Sequence, residues 1–211
     1  MRLLSTLAVR LPLERDILPR LPFAVQAEWL PTTLALRRLA EGAAPDLLIL
    51  TDEALAEGPR VPLVRSALGL AVRAGAPRPE VADEAGFRAA LLAARRPCWS
   101  RAGASGIHLE GVLERLGIAE AVRPKALVIP QGFTAERLLT GEADLAVQQV
   151  SELLMVPGAE VFARFPEALQ QRALFSARAA PQSAEAAALL AALAAPEGRA
   201  ALRAAGLEPV A

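Results

Sequence analysis

The chain is poor in the residues on which most recognisable site chemistry rests. In 211 residues it has one cysteine (Cys98), one histidine (His108), one lysine (Lys125) and no tyrosine. A lone cysteine excludes an intramolecular disulfide and any cysteine-built metal cage, and reads as a buried thiol beside Trp99. With a single histidine, zinc sites built on two or more histidines are impossible, and a Ser-His-Asp arrangement would have to pass through His108. No metal and no cofactor are therefore expected. Net charge is also lacking: 23 basic residues balance 23 acidic ones, scattered along the chain. No basic stripe marks a nucleic-acid face, so nucleic acid is not an expected partner.

Long apolar runs are missing as well. The alanine-rich stretch from Ala184 to Ala195 carries Glu185 and is too short to span a bilayer, so no membrane insertion is expected. At the start, Met1 to Val9 is apolar but broken by Ser5 and Thr6, then followed by Arg10, Pro12, Glu14, Arg15 and Asp16. A secretory signal needs a longer uninterrupted apolar core. As written, the chain is expected to be cytoplasmic; a misplaced start codon would make it periplasmic. A monomer is expected.

What is present is apolar: 54% of the residues, enough for one large domain or two small lobes with real cores. Elements alternate in the manner of an α/β protein. Strands are expected at Leu3 to Leu7, Ala24 to Trp29, Asp46 to Leu50, Leu68 to Gly75, Pro97 to Ser100, Lys125 to Ile129, Asp144 to Gln148 and Phe175 to Arg178. Helices are expected at Leu13 to Leu21 (interrupted by Pro19), Pro31 to Leu39, Ala82 to Ala94, Ser105 to Leu116, Thr134 to Leu139, Ser183 to Leu193 and Glu197 to Ala205. Thr32 or Thr33 would cap the second of these, with Gly42 just past its end. The opening is doubly wound, and no long flexible linker separates the two α/β units.

The segment Trp99-Ser100-Arg101-Ala102-Gly103-Ala104-Ser105-Gly106-Ile107-His108 is the most informative. Two glycines, two serines and an arginine stand where an amphipathic helix begins, so free N–H groups, hydroxyls and the positive end of the helix dipole converge. That suits a small anion. The alternative is that Ser105 caps the helix while the glycines make a tight turn.

The run Gly141-Glu142-Ala143-Asp144-Leu145-Ala146-Val147-Gln148-Gln149-Val150-Ser151-Glu152 resembles a strand-turn motif of the bacterial type 2 solute-binding proteins, the group that contains the periplasmic molybdate-binding protein. Other landmarks follow in the same order: Ser5-Thr6, Pro31-Thr32-Thr33, Gly42 with Asp46 to Asp52, the crossing strand Leu68 to Arg73, the Gly-Ala-Ser-Gly loop, and a closing Ala195-Pro196-Glu197-Gly198 with Ala205 to Pro209. The resemblance covers nearly the whole chain. It implies a type 2 periplasmic-binding-protein fold, two α/β lobes joined by a two-strand hinge: residues 1–70 with 174–211 in lobe one, 71–173 in lobe two. It also implies a small anionic ligand held between the lobes and an ABC permease as partner. Carried over position by position, the ligand-binding residues are Ser5, Thr6, Thr32 or Thr33, Ala104 and Ser105, and the family's binding tyrosine falls at Gln149.

That departure and Arg101 shift the expected ligand from a molybdate-like oxyanion toward a small organic acid, since an amide reads carboxylate or hydroxyl groups and a guanidinium clamps carboxylates. Arg101 is otherwise an exposed loop residue, and Gln149 a structural amide at a strand end. A branch of the family with Ser-Gly-Ile-His and Val-Gln-Gln in these places is similar to bacterial aconitate isomerase. Such an enzyme shifts a double bond in a tricarboxylate and needs a general base, for which His108 and Glu152 are the candidates. His108 falls on the first helical turn, where the dipole disfavours a further positive charge; otherwise it packs beneath the loop on a backbone carbonyl. A regulator's effector domain shares this architecture; with no helix-turn-helix in the sequence as written, that reading is not expected unless the chain is a fragment.

Overall fold

The computed structural model describes residues 1–210, which fall into two units: Met1–Ser66 with the chain from Ala173 on, and Ala67–Arg172. In chain order the first unit contributes β1 (Arg2–Ser5), a run of short helical turns from Leu7 to Arg20 that includes α1 (Arg10–Pro12), β2 (Gln26–Trp29), α2 (Thr32–Ala40), β3 (Leu47–Thr51) and β4 (Val61–Ser66). The second holds β5 (Leu68–Arg73), α3 (Glu84–Ala93), β6 (Pro97–Ser100), α4 (Ala104–Arg115), α5 (Ala119–Val122), β7 (Leu127–Ile129), α6 (Glu136–Leu139), β8 (Leu145–Gln149), α7 (Val150–Leu153) and β9 (Ala159–Arg164). The chain then returns to the first unit as β10 (Ala173–Ala179), α8 (Ala184–Ala194), α9 (Pro196–Ala204) and β11 (Leu207–Pro209).

In unit one the sheet order is β11-β4-β10-β3-β1-β2. Strand β3 reads Leu-Leu-Ile-Leu because it is central and covered on both faces. Leu47 and Ile49 join Leu3, Val64 and Phe175 under Leu13, Ile17, Leu189, Leu193 and Leu202. On the opposite face Leu4 and Leu50 pack with Ala35 and Leu55. The Asp46 carboxylate accepts the Arg2 N–H at 2.6 Å and ties the amino ends of β3 and β1 together.

Unit two repeats the plan with the order β7-β6-β8-β5-β9. Leu68, Leu70, Val72, Trp99, Leu145 and Val147 form one core with Phe87 and Leu91 of α3 and Leu109, Val112 and Leu113 of α4. Asp144 holds the amino edge here, accepting the N–H groups of Arg95 (2.8 Å) and Arg96 (2.9 Å). Cys98 is buried, and burial pushes its thiol up to about 12, which leaves it inert.

Two α/β sheets thus carry the chain, but several local expectations are corrected. Strands β4, β9 and β11 and the turn α7 were not expected. Pro62 disguises β4; it lies opposite Ser176, where the β4–β10 register shifts. Strands β4, β10 and β11 pair antiparallel, so the first sheet is mixed. At α2 the cap position belongs to Pro31 with no side-chain bond, so neither Thr32 nor Thr33 caps it. Ser183 does cap α8, accepting from Ala186 N–H at 3.2 Å. Among the described residues, no helix is long and apolar enough to cross a membrane.

Candidate functional site

Three parallel strands of unit two, β7, β6 and β8, end at one edge of their sheet, and the loops that follow them meet there. Ligands of open α/β sheets bind outside such carboxyl ends. The loop after β6 is tied down by its own backbone. Arg101 N–H reaches Ile129 O at 2.8 Å, Ala102 N–H reaches Pro130 O at 3.2 Å, and Ser100 Oγ accepts Gly103 N–H at 3.0 Å. Gly103 then occupies the cap position of α4 without a side-chain bond, so Ser105 does not cap the helix but stands inside its first turn. Gly106 allows the approach: a Cβ there would lie 1.8 Å from Ser100 O.

This placement leaves donors without acceptors. The N–H groups of Gly106 and Ile107 both bond Gly103 O at 3.1 Å. Those of Ala104 and Ser105, and the Ser105 hydroxyl, have no hydrogen-bond partner among the described residues. The first N–H groups of a helix have no intrahelical acceptor, so these donors are open to a partner from outside the chain. The positive end of the α4 dipole favours negative charge at this point.

Gln149 is the second unpaired group: it is 2% exposed and its Oε1 has no partner. Its neighbour behaves oppositely. Gln148 Oε1 accepts from Thr134 N–H (2.8 Å) and Thr134 Oγ1 (3.0 Å), while Nε2 donates to Gly132 O at 2.9 Å. This amide ties the loop after β7 to β8. Glu152, on α7, is buried, and burial pushes its carboxyl up to about 8; bonds from the Gln148 side chain and the Gln149 backbone pull the other way. A carboxyl so placed holds its proton near neutrality.

His108 lies on α4, where its Nε2 donates to Leu169 O at 2.8 Å and its ring is 6.4 Å from that of Phe165. That nitrogen is committed to the backbone. Arg101 is exposed and lines an open hollow of about 400 Å³ with Trp99, Ile107, Glu110 and Arg123.

Unit one gathers its own expected residues at the carboxyl edge of β1, β2 and β3. Ser5, fully buried, donates to Thr6 O at 3.2 Å, and Thr6 Oγ1 accepts Ala8 N–H at 3.4 Å. Thr32 Oγ1 accepts Thr51 N–H at 3.4 Å, and exposed Thr33 follows it on α2. A trio there was not expected: Arg60 grips Asp52 with two bonds of 2.7 and 2.8 Å, and Ser176 Oγ donates to the same carboxylate. Arg60, then Ser176, hold the Asp52 carboxyl down at about 2. Sequence reading also missed the structural parts of Ser100, Thr134 and Gln148. The available signal was a threonine between the apolar residues Phe133 and Ala135.

A family model described as bacterial extracellular solute-binding protein matches residues 23–208. An aconitate isomerase from Pseudomonas sp. is 34% identical over 139 residues, 65% of this chain and 52% of that protein, so the chain spans about half the length of this relative. Among solved structures, the Azotobacter vinelandii periplasmic molybdate-binding protein superposes with a TM-score of 0.75 at 16% identity, covering 98% of both chains. The sulfate-binding protein SubI from Mycobacterium tuberculosis H37Rv superposes at 0.68 and 14% identity, covering 100% of this chain and 86% of that one. At such identities the likeness is one of fold.

Proposed function

The chain belongs to the bacterial extracellular solute-binding proteins, and from that premise we propose that it captures a small anion and delivers it to an ABC permease. The observation that carries this reading is the donor set at the start of α4 that bonds nothing within the chain: the N–H groups of Ala104 and Ser105 and the Ser105 hydroxyl. Neutral donors fixed by a helix and a tight turn solvate an anion without a counter-charge, and they cost no reorganisation when it arrives. Thr6 and Thr32 fit the same chemistry in unit one, since each hydroxyl accepts a backbone N–H and keeps its own proton to donate.

A thermal-shift screen with molybdate, tungstate, sulfate, phosphate, citrate and both aconitates tests the reading. A ligand at a hundred times its dissociation constant stabilises the fold by about 2.7 kcal/mol. No shift with any of them, confirmed by calorimetry, would overturn anion capture.

One observation favours a second reading, an isomerase that moves a double bond in a tricarboxylate. Glu152 has the property a general base needs, a carboxyl raised to about 8, and the Pseudomonas aconitate isomerase is 34% identical over 139 residues. Of the two expected bases, Glu152 is favoured over His108, whose Nε2 is bonded to Leu169 O. Interconversion of cis- and trans-aconitate, lowered about a hundredfold or more in Glu152→Gln, would support this reading. Tight aconitate binding without turnover would leave a receptor.

A further inference from the structure

The chain leaves unit one between Ser66 and Ala67 and returns to it between Arg172 and Ala173. On the unit-one side the two connections are zipped by backbone, with Ser66 opposite Ala173 in the β4–β10 ladder. On the unit-two side the return connection is a short helical turn, Glu167–Leu169, which offers no strand to pair with Leu68. The side chain of Gln170 takes that place. Its Oε1 accepts Leu68 N–H at 2.7 Å, and its Nε2 donates to Leu68 O at 3.1 Å and to Phe165 O at 3.3 Å. A neighbouring strand would supply the same acceptor and donor to one residue, and partners at both ends fix which way the amide points.

The turn that presents Gln170 is itself held by α4. His108 Nε2 donates to Leu169 O at 2.8 Å, and Arg115 Nη2, two helical turns further on and on the same face, donates to Ala168 O at 2.9 Å. Ala67 O accepts Val150 N–H at 2.9 Å, so on the outward connection only the Ser66–Ala67 link lies between ladder and clasp. On the return it is Gln171 and Arg172, which belong to no strand or helix. We infer that Gln170 is a hinge clasp, confining bending of the two connections to the Ser66–Ala67 link and to Gln171–Arg172. Leu68, the Glu167–Leu169 turn and α4 with its open N–H groups then form one rigid piece, since a hinge works through the few residues that absorb the φ/ψ change. His108 becomes a positioning residue, holding the turn that carries the clasp. Neither role depends on which anion is captured.

Residual dipolar couplings of the backbone N–H bonds, measured on the ligand-free full chain, test the inference. In the wild type Leu68, Leu169 and Gln170 are expected to share the alignment of the unit-two core, and Ser66 and Ala173 that of unit one, with departures only at Ala67, Gln171 and Arg172. Gln170→Met, of similar length and without the amide, is expected to spread the departures to Leu68 and Leu169 and to speed amide exchange at Leu68 tenfold or more. Gln170→Glu separates the clasp from bulk. As a carboxylate it turns an acceptor toward Leu68 O and Phe165 O, and when protonated it again offers one donor and one acceptor. Against the wild type at the same pH, it is expected to behave like Gln170→Met at pH 8 and to recover toward the wild type at pH 5, and it carries the test alone should Gln170→Met fold poorly. One common alignment for both units in the wild type, departures at Leu68 as large as at Ala67, couplings unchanged in Gln170→Met, or a Gln170→Glu pattern indifferent to pH would overturn the inference and leave anion capture standing.

Discussion

The hydroxyls at the carboxyl edge of unit one are already engaged with their own backbone, whereas those of unit two include groups with nothing to bond. Ser5 donates to Thr6 O, Thr6 and Thr32 accept N–H groups of Ala8 and Thr51, and Ser176 donates to Asp52. The Ser105 hydroxyl and the buried Gln149 Oε1 have no partner among the described residues. The amino edges differ far less, since Asp46 and Asp144 play one role in the two sheets. Two units built alike thus diverge where chemistry is expected. The edge hydroxyls of unit one are engaged by the chain itself, and unit two keeps groups that the described chain leaves unbonded.

The strongest way to break this comparison is to push α4 off its strand. Gly106→Ala would place a carbon against Ser100 O and is expected to cost about 3 kcal/mol in urea unfolding, the upper end for overpacking. Gly111, on the same helix with nothing near its missing side chain, is the control: Gly111→Ala is expected to stabilise by up to about 1 kcal/mol. A harmless Gly106→Ala would mean that the first turn is not pressed on β6 as described.

A sharper contrast uses the two serines. Ser105→Ala is expected to weaken binding of the tightest anion by about 1–3 kcal/mol while barely changing stability, because that hydroxyl bonds nothing in the free protein. Ser5→Ala is expected to act on stability, by about 1 kcal/mol. Calorimetry and urea unfolding on both variants decide the matter, and interchanged effects would reverse the roles of the two edges.

Titration separates the units more gently. The Glu152 carboxyl sits at about 8 when folded against an ordinary 4.5, so the native state holds a proton that the unfolded state has lost. Stability is therefore full below pH 4.5 and falls as pH rises toward 8, by up to ~1.4 kcal/mol per pH unit. Glu152→Gln is expected to flatten that slope, read from melting temperatures between pH 5 and 8. Asp52 in unit one has the opposite sign. Its folded value of about 2 lies below the ordinary 3.8, so its contribution is present above pH 3.8 and disappears as pH falls through 2. The gap in melting temperature between the wild type and Asp52→Asn should close across that window, the smallest effect of the set.

Much of this architecture was legible in the chain. Leu47 to Leu50 could only be a covered strand, and Ser100 to Ser105 announced a loop entering a helix. What stayed hidden depends on partners distant in sequence. Pro62 argues against β4 until Ser176 is seen opposite it. Gln148 and Gln149 are chemically identical, and only strand alternation separates the amide that ties Thr134 from the one left unpaired. Asp52 and Ser176 meet across 124 positions of sequence, beyond any local pattern.

The donor set at the start of α4 is most directly tested by amide NMR. Uniformly ¹⁵N-labelled protein would be titrated with citrate, phosphate and molybdate in turn. For whichever binds saturably, the amide signals of Ala104 and Ser105 are predicted to shift most among the residues of unit two, downfield as their N–H groups take up the anion, with the Gly106 and Ile107 amides moving less. Saturable binding that leaves Ala104 and Ser105 unmoved would contradict the account.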